Sequence, residues 1–430
     1  MSLPVNDPDT LLDSFLQERP PDYGDLAIEF KAFSRARKIK TPAQLMQVVM
    51  CYCGIDQALR DTAGTFALLE ERITDTAIHK RLKACLPWVK ALLRKMMGQE
   101  IEGLEAGRLR FIVVDGSTVQ GPGAKETWYR LHIAIDLVNL QLVHVEVTDK
   151  YEGEHLDHYP LQDGDVVLID RGYNQPKTLI AQASKGVSLV LRYNAHGMNL
   201  YRENGEKINW YEELKSCQGK THCIKVQVRH KGEYIEGYVH ACRLPPEQAA
   251  QARRRVRANA KKKGHTVRQS TLRLAEWILV FTTLPPSLLS SDTIAQLYRV
   301  RWQVELVIKR MKSLLDIDQL RAREGGELAA LYLHGKLLYT WVVEKRARRR
   351  CGPTWNRLDQ TRSATWWRLW KRITQEIDTM IEAVSAWDLS RWEACLEVMQ
   401  ERPRKRALQI LPNQVISLID QCRTAGVSNI

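Results

Sequence analysis

Between residues 108 and 193 the chain carries a series of apolar, alternating segments, and two of them close on an aspartate. RLRFIVVD reads as a buried strand ending at Asp115, and GPG at 121–123 punctuates the loop after it. YRLHIAIDL and LQLVHVEVT alternate as two strands about a short turn near Asn139. DVVLID is a further apolar strand, ending at Asp170, and is followed by RGY, a helix-like PKTLIAQASKG and the strand SLVLRY. The implied order is β-β-β-α-β-α-β, the pattern of an α/β (α+β) mixed-sheet core of the ribonuclease H-like kind.

The flanks have a different rhythm. Residues 1–105 read as helical: Pro42 follows Thr41 at a helix start, and AQLMQVVMCYC places apolar residues at helical spacing. DQALRDTAGTFALLEER and TDTAIHKRLKACLPWVKALLRKMM resemble a helix-turn-helix pair, with Gly64 near the first break and Thr74 or Asp75 as a cap. Lys80 and Arg81 lie along the second helix as candidate DNA contacts, although a solvated basic face would look the same. The expected core then occupies 106–194 and 273–325, split by a β-rich insertion over 195–272. Within the insertion, HCIKVQVRH and EYIEGYVHA form a hairpin turning at Lys231 and Gly232. A cationic helix follows with Arg253, Arg254, Arg255, Arg257, Lys261, Lys262 and Lys263, a density that suits a phosphate-facing surface. Residues 326–430 read as helical, rich in Trp and Arg, with no catalytic motif; dimerisation or DNA contact are the roles open to them.

Charge points to the partner. Sixty-four Lys and Arg against 50 Asp and Glu give a formal +14, which favours a polyanion because phosphate neutralisation releases counterions. No segment approaches the roughly 20 apolar residues of a membrane span, and the acidic start MSLPVNDPDT does not look like a secretion signal. The nine Cys match no zinc module, Cys217, His222 and Cys223 lacking a second ligand pair, and reduced thiols suit a cytoplasmic protein.

Asp115 and Asp170, at the ends of strands that would neighbour one another in a mixed sheet, can bring hard oxygen ligands to one cation, although Asp is also common where strands simply end. A third acid lies on SDTIAQLYRVRWQVELVIKRMKSLLD. Ile294, Leu297, Val300, Val304, Val307, Ile308, Met311, Leu314 and Leu315 form its apolar face. Tyr298, Arg301, Glu305 and Lys312 fall within roughly 60° of one another, about 110° from that face. A stripe so placed sits at the edge of the sheet, where Glu305 can reach the two aspartates.

Tyr298-x2-Arg301-x3-Glu305-x6-Lys312 resembles the Y-R-E-K signature of bacterial insertion-sequence transposases of the DDE class, the insertion-sequence-four family. VVDGSTVQGPG and LIDRGY resemble its two acidic motifs, and a β-rich insertion before the Glu is also a family feature. The resemblance covers about residues 108–315 and implies a DNA transposase. Asp115, Asp170 and Glu305 would hold two Mg²⁺ or Mn²⁺ ions, and Tyr298, Arg301 and Lys312 would contact phosphates of the element's ends. Trp277, 21 positions before Tyr298, would stack on a flipped base, unless it is a core aromatic of its apolar strand. Trp302 would offer a second ring. The family pattern further implies double-stranded DNA carrying terminal inverted repeats, target DNA, a homodimer in the assembled complex and cut-and-paste strand transfer through hairpin ends. A nuclease without strand transfer, or an idle DNA-binding regulator, are the rival functions; the intact acidic triad counts against the second. Glu154, His155, Asp157 and His158 read as a surface turn rather than a metal cluster, and Ser117 and Thr118 have no evident partner base.

Overall fold

The computed structural model describes residues 15–70, 73–102, 110–123, 126–138, 140–195, 197–215, 217–322, 326, 328–351, 363–382, 400–401 and 412–427. The turn at Asn139 and much of the region after 351 therefore lie outside the described residues. The N-terminal helices are α1 (Tyr23–Glu29), α2 (Pro42–Cys53), α3 (Leu59–Leu69), α4 (Asp75–Lys83) and α5 (Leu86–Glu102). Thr41 caps α2 by accepting from Gln44 N, and Thr74 caps α4 by accepting from Ala77 N, the arrangement that short polar side chains favour at helix starts. Two expectations change here. Gly64 lies inside α3 rather than at a break, and the segment after Thr74 divides at Ala84–Cys85, where Pro87 enters the first turn of a new helix.

The strands are β1 (Arg110–Gln120), β2 (Thr127–Asp136), β3 (Gln141–Asp149) and β4 (Asp165–Ile169), then helix α6 (Pro176–Ala183) and β5 (Ser188–Arg192). Between β3 and β4 the helix expected from the pattern is only a 3-10 turn, Leu156–His158. After α7 (Trp210–Lys215), the hairpin β6 (Thr221–His230) and β7 (Glu233–Arg243) turns at Lys231 and Gly232. Both have positive φ (48° and 89°), the geometry that tight hairpin turns need. Helices α8 (Pro246–Lys262) and α9 (Gln269–Leu274) precede β8 (Trp277–Thr282). The remaining helices are α10 (Ser291–Val300), α11 (Trp302–Leu315), α12 (Ala329–Cys351), α13 (Trp366–Glu382) and α14 (Pro412–Val427).

One eight-stranded mixed sheet runs β3-β2-β1-β4-β5-β8-β7-β6, parallel across β1, β4 and β5 and antiparallel elsewhere. The hairpin of the insertion thus extends the core sheet through β8. Side chains alternate between two cores, as strand geometry requires. Phe111, Val113, Leu168, Val190 and Val280 face the layer containing α10, α11, α12 and α13. Ile112, Val114, Ile169, Leu191 and Phe281 face the layer containing α6, Tyr159, Tyr173 and Trp210.

The first core is continuous from Phe15 in the N-terminal helices to Cys422 in α14. Two buried cations in this region are paired: the Lys336 ammonium pairs with Asp56 and donates to the Gly54 carbonyl at 3.0 Å, and Arg346 reaches Glu376 at 2.7 Å and Glu18 at 3.2 Å. The tryptophans of α13 have a definite use, since Trp366 and Trp370 bracket the buried Arg310 guanidinium of α11 at 5.5 and 5.6 Å.

Asp378 on α13 accepts from Tyr339 Oη, and burial lifts its pKa to about 6, with the nearby Glu382 charge also raising it. Its folded-state pKa lies above the unfolded value, so the folded protein holds the proton more tightly. This contribution to stability is fullest below about pH 4 and is lost as pH rises to about 6. Asp378→Asn, which keeps an oxygen for Tyr339, should stabilise the protein at pH 7 and flatten its dependence between pH 4 and 6; urea unfolding at both ends of that window measures it.

Candidate active site

Strand register places the first two acids level. Val113 of β1 pairs with Leu168 of β4, and Asp115 and Asp170 each lie two residues beyond that pair. β4 ends at Ile169, whereas β1 continues to Gln120 along β2, so Asp115 lies mid-strand rather than at a strand end. It sits where parallel pairing stops and a groove opens beside β1. Asp170 caps the 3-10 turn Arg171–Tyr173, its Oδ1 accepting from Arg171 N.

The third acid comes from the helix over the same face. The expected single helix is divided at Arg301, whose φ of −49° and ψ of −29° remain helical, so α10 and α11 keep nearly one face. Of its apolar stripe, every residue is buried except the half-buried Leu314. Arg301 stands between the acids: Nη1 lies 3.4 Å from Asp115 Oδ2, and Nη2 pairs with Glu305 Oε1. Burial works against its charge, but Tyr298, Asp115, Asp170 and Glu305 outweigh that and raise its pKa above the usual arginine range. Asp115 is pushed up to about 6, first by burial and further by Glu305 and Glu154, against the pull of Arg301 and the Gly116 N–H. Tyr298, pushed up to about 12 by burial, holds its ring 5.9 Å from the Arg301 guanidinium. Lys312 lies 3.8 Å from Asp318.

Asp115, Gly116, Ser117, Thr118, Glu154, Glu305, Ile308, Lys309 and Lys312 line a cleft of about 360 Å³. Ser117 is only 8% exposed, and its Oγ has no hydrogen-bond partner. Such an orphaned hydroxyl in a cleft of carboxylates suits a bound hydrated cation or phosphate. The donor set is all hard oxygen, which selects Mg²⁺ or Mn²⁺ over softer ions. In this conformation no three acidic, His or Cys side chains among the described residues are close enough to share one ion, and Cys217, His222 and Cys223 do not converge either.

The remaining expected contacts distribute unevenly. Trp277 is 7% exposed, beneath Arg243 at 5.7 Å, on the sheet face opposite α10 and α11; its ring here is part of the second core. Trp302 is 38% exposed. Arg254, Arg255, Arg257, Lys261, Lys262 and Lys263 are exposed on or just after α8, while Arg253 is tied to Glu276 at 2.6 Å. β7 ends and β8 begins at the sheet end that carries Asp170, so α8 leaves the sheet from that end. Lys80 is exposed; Arg81 donates to the Arg35 carbonyl.

Sequence reasoning set Glu154 aside as part of a surface turn and did not single out Arg192. The turn at 153–158 is not a simple surface turn. His158 stacks on His132 at 3.8 Å and lies between Glu146 and the Gly153 carbonyl, and Glu154 enters the cleft. His132 is held neutral, its pKa lowered to about 3 by burial and then by His158. Arg192, half-buried at the end of β5, has its pKa lowered by burial and lies in the field of Tyr298 and Asp170. Its position at the end of the strand beside β4 was the available signal.

Residues 106–340 match the model of the transposase DDE domain. The chain belongs to the DDE transposase family. Family members are metal-dependent enzymes of phosphoryl transfer on DNA, in keeping with the acidic site described above. The chain is similar to the putative transposase InsL for insertion sequence element IS186A of Escherichia coli (strain K12), 28% identical over 336 residues, 76% of this chain and 90% of that protein. It is equally similar to the transposase for insertion sequence element IS421 of Escherichia coli, 28% identical over 337 residues with the same coverage. With the transposase for insertion sequence element IS231C of Bacillus thuringiensis subsp. berliner it shares 26% identity over 245 residues, 53% of this chain and 50% of that protein. These relatives agree with the insertion-sequence-four resemblance read from the signature.

The two tryptophans should separate by experiment. Trp277→Ala should lower stability by about 3–5 kcal/mol by leaving a cavity, whereas the more exposed Trp302→Ala should cost distinctly less; chemical denaturation distinguishes them.

Proposed function

We propose that this transposase binds the terminal inverted repeats of its own insertion sequence, cuts the 3′ ends and joins them to target DNA by a cut-and-paste route with hairpin ends. The observation that carries this is the level placement of Asp115 and Asp170 beneath Arg301 and Glu305. Asp115, Asp170 and Glu305 are the residues that would hold two Mg²⁺ or Mn²⁺ ions. Bound there, the ions would activate a water or 3′-hydroxyl and stabilise the leaving oxygen.

The chain's own cations do the rest. A polyanion approaching several carboxylates is repelled unless positive charge lies nearby, by on the order of 4 kcal/mol per pair at 4 Å and an effective dielectric near 20. Arg301, Lys309 and Lys312 line or border the cleft and can take the phosphates flanking the scissile bond. The exposed cationic face of α8, leaving the same sheet end, suits the duplex beyond it. Lys80 and Trp302 are the further contacts we assign to the element's ends. Two ends must be held together for joining, and we propose a homodimer in that complex.

Incubation with the element's terminal DNA and Mg²⁺, resolved on a denaturing gel, should give nicks, hairpins and joined products. Asp170→Ala should reduce cleavage by several decades with DNA binding retained. Nicks without joined ends would instead mean a nuclease, and undiminished cleavage by the variant would remove the triad from the mechanism.

A further inference from the structure

Glu154 has a peculiar seat. Its carboxylate lies over two glycines that belong to the two acidic motifs, Gly116 next to Asp115 and Gly172 two residues after Asp170. A Cβ at Gly116 would lie 2.6 Å from Glu154 Oε1, and one at Gly172 would lie 2.7 Å from Oε2. Neither glycine has a positive φ, so backbone conformation does not demand glycine at these sites. What both positions lack is a side chain in the space the Glu154 carboxylate fills.

The turn that carries Glu154 is held from three sides. Gln175 Nε2 donates to the Glu154 carbonyl at 3.2 Å, and Gln175 Oε1 accepts from His155 Nδ1 at 2.5 Å. His158 meets the Gly153 carbonyl at 3.2 Å while stacked on His132 of β2. The backbone is thereby fixed while the side chain reaches the cleft shared with Asp115, Glu305 and the unpartnered Ser117 hydroxyl. Among the described residues no cation pairs with the Glu154 carboxylate. A half-buried carboxylate bridging two acidic motifs without a counter-ion adds negative charge beside Asp115, which a bound cation would offset.

We propose that Glu154 is a fourth carboxylate of the metal site, joining Asp115 and Asp170 on a divalent ion, and that Gly116 and Gly172 are glycines because they leave room for it. The inference rests on the acidic-triad reading above. It also gives the motif glycines a role that no charge of their own could supply.

The test uses the full-length protein bound to its element's terminal duplex and follows free Mn²⁺ by electron paramagnetic resonance. Glu154→Gln, nearly the same shape, should raise the Mn²⁺ concentration for half-occupancy by roughly tenfold or more, with affinity for the duplex unchanged. Gly172→Ala, which alters no charge, should shift Mn²⁺ affinity in the same direction by displacing the carboxylate. In a Glu154→Ala background the Gly172→Ala change should add nothing, because its effect passes through Glu154. Asp170→Asn serves as the reference. If Asp170→Asn loses Mn²⁺ while Glu154→Gln binds it as the parent does, the fourth-ligand inference is wrong and the triad stands. If neither variant loses Mn²⁺, both fall. A Gly172→Ala effect that persists without Glu154 would also overturn the steric argument.

Discussion

Like charges held close together are the constraint around which this molecule is arranged. Asp115, Glu305 and Glu154 share one cleft, and Asp170 stands level with Asp115 just past the end of the next strand. The charges of Glu305 and Glu154 make the ionisation of Asp115 harder, and its pKa is lifted to about 6, first by burial and then by these neighbours. A fold can keep such a group together only if rigid elements bring the acids in and a cation is at hand. Arg301 meets the second need, with contacts to both Asp115 and Glu305. A guanidinium suits the place because it stays charged when partly buried and has donors on two sides. Its own raised pKa reflects the field of Tyr298 and of Asp115, Asp170 and Glu305, which together outweigh its burial.

The first need is met by packing that begins beside Glu305 and extends away from it. α11 is pressed on the sheet by Val304, Val307, Ile308 and Met311, which fixes Glu305 over β1. Its outer side is braced by α13, where Trp366 and Trp370 sandwich Arg310. α13 is tied in turn to α12 by the Arg346–Glu376 pair, and α12 to the N-terminal helices through Lys336 and Asp56. The described helices at the two ends of the chain therefore share one core behind the helix that carries Glu305. That core gives the acidic residues a stiff support, which a metal site needs if its ligands are to keep their spacing.

Much of this was legible in the residues, because strands and amphipathic helices write their periods into the chain. The alternating runs gave β1 to β5 in order, and Lys231-Gly232 gave the β6–β7 turn. The Tyr298–Lys312 spacing survived the division of its helix because Arg301 keeps helical dihedrals. What escaped was information carried by pairing rather than by pattern. Asp115 looks like a strand terminus from its neighbours, and only the register with β2 shows the strand running on to Gln120. Trp277 is equally apolar in surroundings on either face, and only alternation within the assembled sheet turns it away from α10 and α11. Glu154 lies in a stretch with no period, so its approach to Gly116 and Gly172 follows from tertiary contacts alone.

The sheet's asymmetry then explains how one end of the molecule can be acidic at its centre and basic at its rim. In a parallel run, strand ends of one polarity gather at one edge, and loops there meet at the point where neighbouring strands diverge. β1 and β4 diverge beyond Val113 and Leu168, which opens the space for carboxylates. β8 and β7 add to the sheet in the sense that returns Glu276 and Arg243 to this same edge, and α8 starts from there. Entering between β5 and β8 puts the start of the cationic helix at the sheet end that carries Asp170, so its positive charge leaves the sheet on the side where the acids gather rather than from the opposite end.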